Sequence, residues 1–235
     1  ITVDNGIVAN KAVEFANKNG IDVIITDHHV PSNPSTGSGL PKAFAIVHTT
    51  SLCGTGVAWL LAKEINSRHS GNPSADGASR ISKTQRDAGQ ASMTIDSHLE
   101  LVALATVADL VPVKGANRAL LKFGLEKLKT TKRIGLLELF KEAGINQEKI
   151  GVYEIGHIIA PRLNAMGRLE YAMDSLRLLC TNNKKKAEEL AKILGNTNRQ
   201  RQELTLQTVL HAKDELKVNG AIHKKLLFIA HKTYE

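Results

Sequence analysis

Along the first fifty positions, the apolar residues follow the spacing of β-strands in some segments and the spacing of a helix in another. Positions 1–5 are typical of the end of a β-strand, and residues 7–19 carry apolar side chains at helical spacing and stop at Gly20. Residues 21–26 predict a second strand, and residues 43–47 predict a third. A strand, a helix and a strand in this order indicate a right-handed crossover between parallel strands. The sequence therefore predicts an α/β fold with a parallel sheet.

After the third strand the pattern becomes mainly helical. It predicts a helix that opens near Cys53, followed at about 67–97 by a Ser-, Gly-, Asp- and Arg-rich stretch, which we expect to be a long mobile surface loop. Residues 182–217 form one long run of helix formers, which predicts a connecting helix between lobes, and an apolar run at 224–230 predicts a strand. The shorter predicted helices cover residues 99–108, 117–128, 135–142, 152–159 and 171–179.

The composition indicates the cellular compartment and the partners of the chain more than it indicates the fold. Its residues are 42% hydrophobic and 23% charged, as in ordinary soluble domains, and its apolar runs are far shorter than the roughly 20 residues of a membrane span. Cys53 and Cys180 are too few for a disulfide framework, so a reducing cytoplasm is the simplest expectation. The formal net charge of +8 suggests a polyanionic partner.

Acidic and histidine residues follow the first two predicted strands. Asp4 follows the first strand, and Asp27, His28 and His29 follow the second. Because ligands of open α/β sheets bind beyond the carboxyl ends of the strands, one crossover brings these residues side by side. Carboxylates with imidazole and no thiolate favour Mn²⁺ or Mg²⁺ over a structural zinc ion. The alternatives are an ordinary core or surface histidine pair and, for Asp109 after the apolar run at 99–108, a turn residue.

A glycine-rich turn precedes the predicted second helix. Its free N–H groups could accept a phosphate, although tight packing is the favoured interpretation of residues 53–56. A dinucleotide-binding fingerprint is excluded, because Trp59 stands where that motif has its third glycine.

Three short segments in a fixed order resemble the second, third and fourth motifs of the DHH phosphoesterases. They are Val-Asp-Asn-Gly at 3–6, Thr-Asp-His-His at 26–29 and Thr-Val-Ala-Asp-Leu-Val-Pro at 106–112. Other segments are similar, in matching order, to the RecJ branch of that family. These are residues 53–59, 116–120, 160–169 and 198–203.

The resemblance implies a nuclease that uses two metal ions, Mn²⁺ or Mg²⁺, for in-line attack of water on phosphorus. By that resemblance Asp4, His28 and Asp109 would hold one metal ion. Asp27 would orient a neighbouring group, and His29 would meet the scissile phosphate.

The resemblance also implies a contact with nucleic acid. A segment that contains Pro161 and Gly167 also carries Arg162, Asn164 and Arg168. We interpret this segment as a loop, because proline and glycine are common in loops. The family counterpart of this segment approaches the phosphate backbone, and arginine suits bidentate contacts with phosphate.

The implied domain order is a DHH phosphoesterase domain at 1–181, a connecting helix at 182–218 and the start of a C-terminal DHHA1-like lobe at 219–235. The family's first motif, an Asp-x-Asp strand, would lie before Ile1. We therefore expect this chain to be an interior piece of a longer enzyme. It should be nearly inactive by itself, because one metal ion would lack most of its ligands.

The leading functional hypothesis is a 5′ to 3′ exonuclease on single-stranded DNA, acting in recombination and repair. One alternative is a DHH relative that cleaves short RNAs or cyclic dinucleotides, and the RecJ-like segments after Asp109 argue against it. Another is a catalytically silent nucleic-acid-binding protein. The presence of Asp4, His28, His29 and Asp109 argues against that alternative.

Overall fold

The structure is a computed structural model that describes residues 1–31, 40–70, 98–218, 226–232 and 234. The mobile loop predicted at about 67–97 falls outside these residues from position 71 onward. Its first four positions are helical, so the prediction is wrong there. Apolar and helix-forming residues carry the preceding helix as far as Ser70.

A small parallel sheet forms the first part of the chain. Its strands are β1 (Thr2–Val3), β2 (Ile24–Asp27) and β3 (Ala45–His48), in the order β1-β2-β3. Helix α1 (Asn10–Lys18) connects β1 to β2. The central strand is the most buried, because it packs between two neighbours. The predicted parallel α/β arrangement is confirmed, with strands shorter than the apolar runs.

Helices make up most of the remaining described chain. A 3₁₀ turn at Gln147–Lys149 and a π-helical turn at Ile155–Ile159 accompany them. The helices are α2 (Gly54–Ser70), α3 (Leu99–Ala108), α4 (Gly115–Lys129), α5 (Ile134–Glu142), α6 (Val152–Glu154), α7 (Ala160–Leu169), α8 (Met173–Cys180) and α9 (Lys184–Val218). None of the helices among the described residues combines the length and apolarity that a bilayer crossing requires.

Residue contacts divide the chain into two compact units, 1–130 and 131–235. The domain boundaries expected at 181 and 218 by resemblance stay predictions. In the first unit the core lies around Ile7, Ile25 and Val57, which are fully buried. Helix α3 is buried on almost every side, since it packs against both α2 and α4.

The second unit is built around the first half of α9. Its apolar residues at helical spacing, Ala187, Leu190, Ala191 and Leu194, are buried, and this helix packs against α5, α7 and α8. The later residues Leu206 and Leu210 are half exposed. The long helix predicted at 182–217 is therefore present, and its burial is concentrated at its start.

The segment that carries Arg162, Asn164 and Arg168 is helical, and the loop predicted there is wrong. Helix α7 follows directly on the π-helical turn, and Pro161 falls in its first turn. Pro161 has no N–H group to donate, and the π-helical turn directly before it is where the regular α-helical hydrogen-bond pattern is already interrupted. Gly167 lowers helix propensity by only about 1 kcal/mol, which tertiary packing overrides.

The strand predicted at 224–230 is also wrong over its described part, 226–230, which has no regular secondary structure. Leu226 and Phe228 are almost fully exposed there. Among the described residues this segment has no neighbouring strand with which to form a ladder, and an apolar run alone does not make a strand.

Gly124 allows α4 to approach α3 closely. A Cβ atom at this position would lie 2.5 Å from both Ala103 Cβ and Leu99 O. We expect Gly124→Ala to lower the free energy of unfolding by about 1–3 kcal/mol, the usual cost of overpacking. Urea denaturation measures this value. Gly167→Ala is the matched control, because the nearest atom is 3.8 Å away and the helix should gain up to about 1 kcal/mol. Equal effects of the two substitutions would contradict the packing argument.

Candidate metal centre

The ends of two parallel strands and of one helix carry the candidate ligands. Asp4 follows β1, Asp27 is the last residue of β2, and His28 and His29 come next. Asp109 follows the last residue of α3. All of them belong to the first unit, so the fold of that unit alone determines their arrangement.

The side chain of His28 lies between two carboxylates. Its Nε2 atom is 3.0 Å from Asp4 Oδ1 and 3.5 Å from Asp109 Oδ2. The ligand atoms of Asp4, His28 and His29 all lie within 4.8 Å of one another. His28 is mostly buried, whereas both carboxylates are about half exposed. Solvent can therefore reach this side of the cluster.

The Asp27 carboxylate is buried beneath the two histidines. Its Oδ2 atom accepts a hydrogen bond from the Ile7 N–H at 2.9 Å. Its Oδ1 atom accepts from the N–H groups of His28 at 2.7 Å and His29 at 3.2 Å, and from His29 Nδ1 at 2.8 Å. Burial raises the pKa of this carboxyl, but these hydrogen bonds outweigh burial and bring the pKa to about 2. Asp27 is therefore ionised at neutral pH.

The orientation of His29 follows from that charge. An ionised carboxylate only accepts hydrogen bonds, so the Nδ1 atom of His29 must donate to Asp27. This hydrogen bond, more than any other influence, raises the pKa of His29. The imidazole is 58% exposed, and its Nε2 atom is left for an external partner.

The backbone takes uncommon conformations at one candidate ligand, Asp4, and directly after another, Asp109. Asp4 has a φ of 58°, and Leu110, which follows Asp109, has a φ of 55°. Few residues other than glycine adopt this left-handed region, and such strain concentrates at functional sites. The Asp4 N–H donates to Thr26 O at 2.9 Å, so the neighbouring strand holds the strained residue in place.

Sequence reasoning missed two polar residues that support this region. His48, at the end of β3, has its Nε2 atom 2.7 Å from His29 O, to which it donates. The buried Asn117 donates to Ser51 O at 2.7 Å and to Pro112 O at 3.0 Å, and so joins the loop after β3 to the turn after Asp109. The strand-end position of His48 was an available signal, and the RecJ-like segment at 116–120 was the signal for Asn117.

Arg162, Asn164 and Arg168 lie on α7 in the second unit. Arg162 is largely buried, and its Nε atom donates to Glu142 Oε2 at 2.9 Å. Asn164 and Arg168 are exposed and lie one helical turn apart. The pairing of Glu142 with Arg162 joins residues twenty positions apart, so no local pattern predicts it.

The donor set of the first unit fits a divalent ion of the Mn²⁺ or Mg²⁺ class. Two carboxylates and an imidazole converge there, and these are ligands that this class of ion accepts. Cys53, the nearest thiol in sequence, is buried and lies 3.7 Å from Thr106 Oγ1. It is not among the converging ligand atoms, so a thiolate zinc site does not fit.

Comparison with known proteins agrees with the motif order. Residues 1–106 match the DHH family, N-terminal domain. The chain is 35% identical over 229 residues to the single-stranded-DNA-specific exonuclease RecJ of Bacillus subtilis, which covers 94% of this chain and 25% of that protein. It is 34% identical over 220 residues to RecJ of Escherichia coli, which covers 87% of this chain and 34% of that protein. The chain thus spans about a quarter to a third of these relatives.

Solved structures give the same result. The crystal structure of RecJ in complex with Mn²⁺ from Thermus thermophilus superimposes with a TM-score of 0.71 at 30% identity, over 89% of this chain and 29% of that one. A second structure, of exonuclease RecJ bound to manganese, gives a TM-score of 0.71 over 89% of this chain and 49% of that one. Residues 1–106 therefore match the DHH family, and the chain is similar to RecJ over most of its length.

Proposed function

We propose that the chain is the metal-binding part of a RecJ-type exonuclease that hydrolyses single-stranded DNA. The observation that carries this proposal is the convergence of Asp4, His28 and Asp109 above the buried Asp27. The similarity to RecJ, whose name specifies single-stranded DNA, supports the substrate. The 5′ to 3′ direction, the role in recombination and repair, and the cytoplasmic setting are proposed from the family resemblance.

Asp4, His28 and Asp109 would hold one Mn²⁺ or Mg²⁺ ion. RecJ structures bound to Mn²⁺ and to Mg²⁺ support this class of ion. A bound ion of this class polarises a phosphoryl oxygen and makes bound water a stronger nucleophile. The protein supplies the fixed ligand positions, since the strand ends are held by the sheet.

His29 would donate a hydrogen bond to a phosphoryl oxygen of the substrate. Its Nδ1 atom is held by Asp27, and 58% of its side chain is exposed. The raised pKa of His29 increases its protonated fraction near neutral pH. A protonated imidazole stabilises the negative charge that grows on phosphate oxygens during attack. Asp27 acts through His29 and does not touch the substrate.

Arg168 and Asn164 would contact the DNA backbone from α7. Both are exposed, and arginine matches the geometry of a phosphate group. Arg162 would hold the α7 helix in place through Glu142. The net charge of +8 supports a nucleic-acid partner.

Replacement of His28 by alanine tests the metal centre. We expect His28→Ala to weaken Mn²⁺ binding by at least about 100-fold, because second-sphere changes alone cost 10–100-fold. Electron paramagnetic resonance of free Mn²⁺ measures binding to the chain. The release of nucleotides from a 5′-phosphorylated single-stranded oligonucleotide measures activity of the complete gene product.

The matched control for that experiment is His157→Ala, which removes an exposed histidine that stacks on Tyr153 in the second unit. Undiminished Mn²⁺ binding by His28→Ala would rule out the proposed centre. If the complete gene product cleaves dinucleotides but does not cleave the longer oligonucleotide, the short-RNA or cyclic-dinucleotide alternative is supported instead.

The low pKa of Asp27 gives a prediction for stability. The pKa of Asp27 is about 2 in the folded chain against 3.8 in the unfolded chain, so its ionisation contributes about 2 kcal/mol to the free energy of unfolding. This contribution is present above about pH 4 and is lost as the pH falls through about 2. We expect Asp27→Asn to lower the free energy of unfolding by this amount at neutral pH. The difference in free energy of unfolding between the variant and the native chain should narrow below about pH 4. Urea denaturation over a pH series without divalent metal checks this. A gap that stays constant with pH would contradict it.

Arg168 gives a prediction for DNA binding. If its guanidinium neutralises one phosphate, Arg168→Ala should reduce the slope of log affinity against log salt by about 0.7. Fluorescence anisotropy of a labelled single strand in a salt series measures that slope. Arg177→Ala is the control, because Arg177 is an exposed arginine of the same unit that pairs with Asp174 at 2.8 Å. The same change of slope in both variants would count against a specific contact.

A further inference from the structure

Gly54 lies directly against the carboxylate of Asp4. It is the first residue of α2 and is buried. A Cβ atom on Gly54 would lie 2.5 Å from Asp4 Cγ and 2.6 Å from Asp4 Cβ, and closer still to Asp4 Oδ1. A methyl group cannot share this space with Asp4, because real Cβ atoms essentially never come within 3.0 Å of another heavy atom.

Asp4 is restrained against moving away. The predicted overlap includes its Cβ atom, so rotation of the carboxylate alone does not remove it. The Asp4 N–H is bonded to Thr26 O at 2.9 Å, and its φ of 58° lies in a narrow allowed region.

The start of α2 is equally restrained. Leu52, Cys53 and Val57 are buried, and Cys53 Sγ lies 3.7 Å from Thr106 Oγ1 on α3. A shift of the helix would have to repack these side chains, and close-packed interiors resist such a shift. An added methyl group would therefore act mainly on the position of the Asp4 carboxylate.

We propose that Gly54 is a positioning residue that keeps free the space in which Asp4 reaches His28. This inference rests on the proposed metal centre. Without a side chain at 54, Asp4 Oδ1 lies 3.0 Å from His28 Nε2. Any larger residue at 54 displaces that oxygen and separates two of the proposed ligands. Gly54 itself touches neither the metal ion nor the substrate.

The test compares two glycine substitutions in the first turn of α2. We expect Gly54→Ala to raise the Kd for Mn²⁺ by about 10–100-fold, as other changes that disturb ligand orientation do. Gly56→Ala is the matched control. Its Cβ atom would lie 3.3 Å from Leu52 Cβ, away from Asp4, so the Kd should stay within about 3-fold of the native value. Electron paramagnetic resonance of free Mn²⁺ measures both on the full chain.

A second variant covers the case in which Gly54→Ala does not fold. Adding Asp4→Gly removes the three atoms nearest to the new methyl group, and glycine suits the φ of 58°. We expect this double variant to recover the melting temperature of Asp4→Gly alone. A double variant as unstable as Gly54→Ala would overturn the inference, because the clash would not be with Asp4.

The native chain and His28→Ala separate the two proposals. If the native chain binds Mn²⁺, His28→Ala does not, and Gly54→Ala binds as the native chain does, the metal centre stands and the role of Gly54 is overturned. If the native chain binds no Mn²⁺, the metal centre fails and the role of Gly54 fails with it. A weakened Kd in Gly54→Ala with an unchanged Kd in Gly56→Ala supports both.

Discussion

The buried Asp27 carboxylate is the constraint on which the arrangement of the first unit depends. It accepts hydrogen bonds from the N–H group of Ile7, after β1, and from those of His28 and His29, after β2. One charged group therefore fixes two loops and the direction of one imidazole. A buried charge is stable only when its hydrogen-bonding capacity is used, and here four donors use it. Protonation of Asp27 would weaken the hydrogen bonds to both loops, because bonds to a charged acceptor are stronger than bonds to a neutral one.

The geometry above that carboxylate follows from parallel strands. β1 and β2 end at the same edge, so Asp4 and His28 meet although 24 positions separate them, and α3 brings Asp109 to the same point. The cost of this convergence is local strain at Asp4 and Leu110 and a helix start without room for a side chain at Gly54. The rest of the unit holds these unfavourable features in place, as is usual where ligands must be preorganised.

The sequence predicted the parts of the fold that depend on local periodicity. The bounds of α3 agree with its apolar run, and the long helix and parallel strands are present, because spacing alone specifies them. The helical state of α7 could not be predicted, because Pro161 and Gly167 are residue types that are common in loops. The π-helical turn that precedes Pro161 is visible only in the structure. The contacts of Gly54 with Asp4, of Asn117 with Ser51 and of Glu142 with Arg162 could not be predicted either, because each joins residues distant in sequence.

Glu142 binds two arginines of the second unit, Arg162 and Arg199. Its carboxylate is 10% exposed and accepts hydrogen bonds from Arg162 and Arg199 at 2.9 Å each. Gly195 leaves it room, since a Cβ atom there would lie 2.6 Å from Glu142 Oε2 and closer to its other atoms. Withdrawing a partner from a buried ion pair costs about 3–5 kcal/mol, because the other charge is left without a partner. Arg162 is therefore held within the scaffold of the second unit, whereas Arg168 on the same helix is exposed.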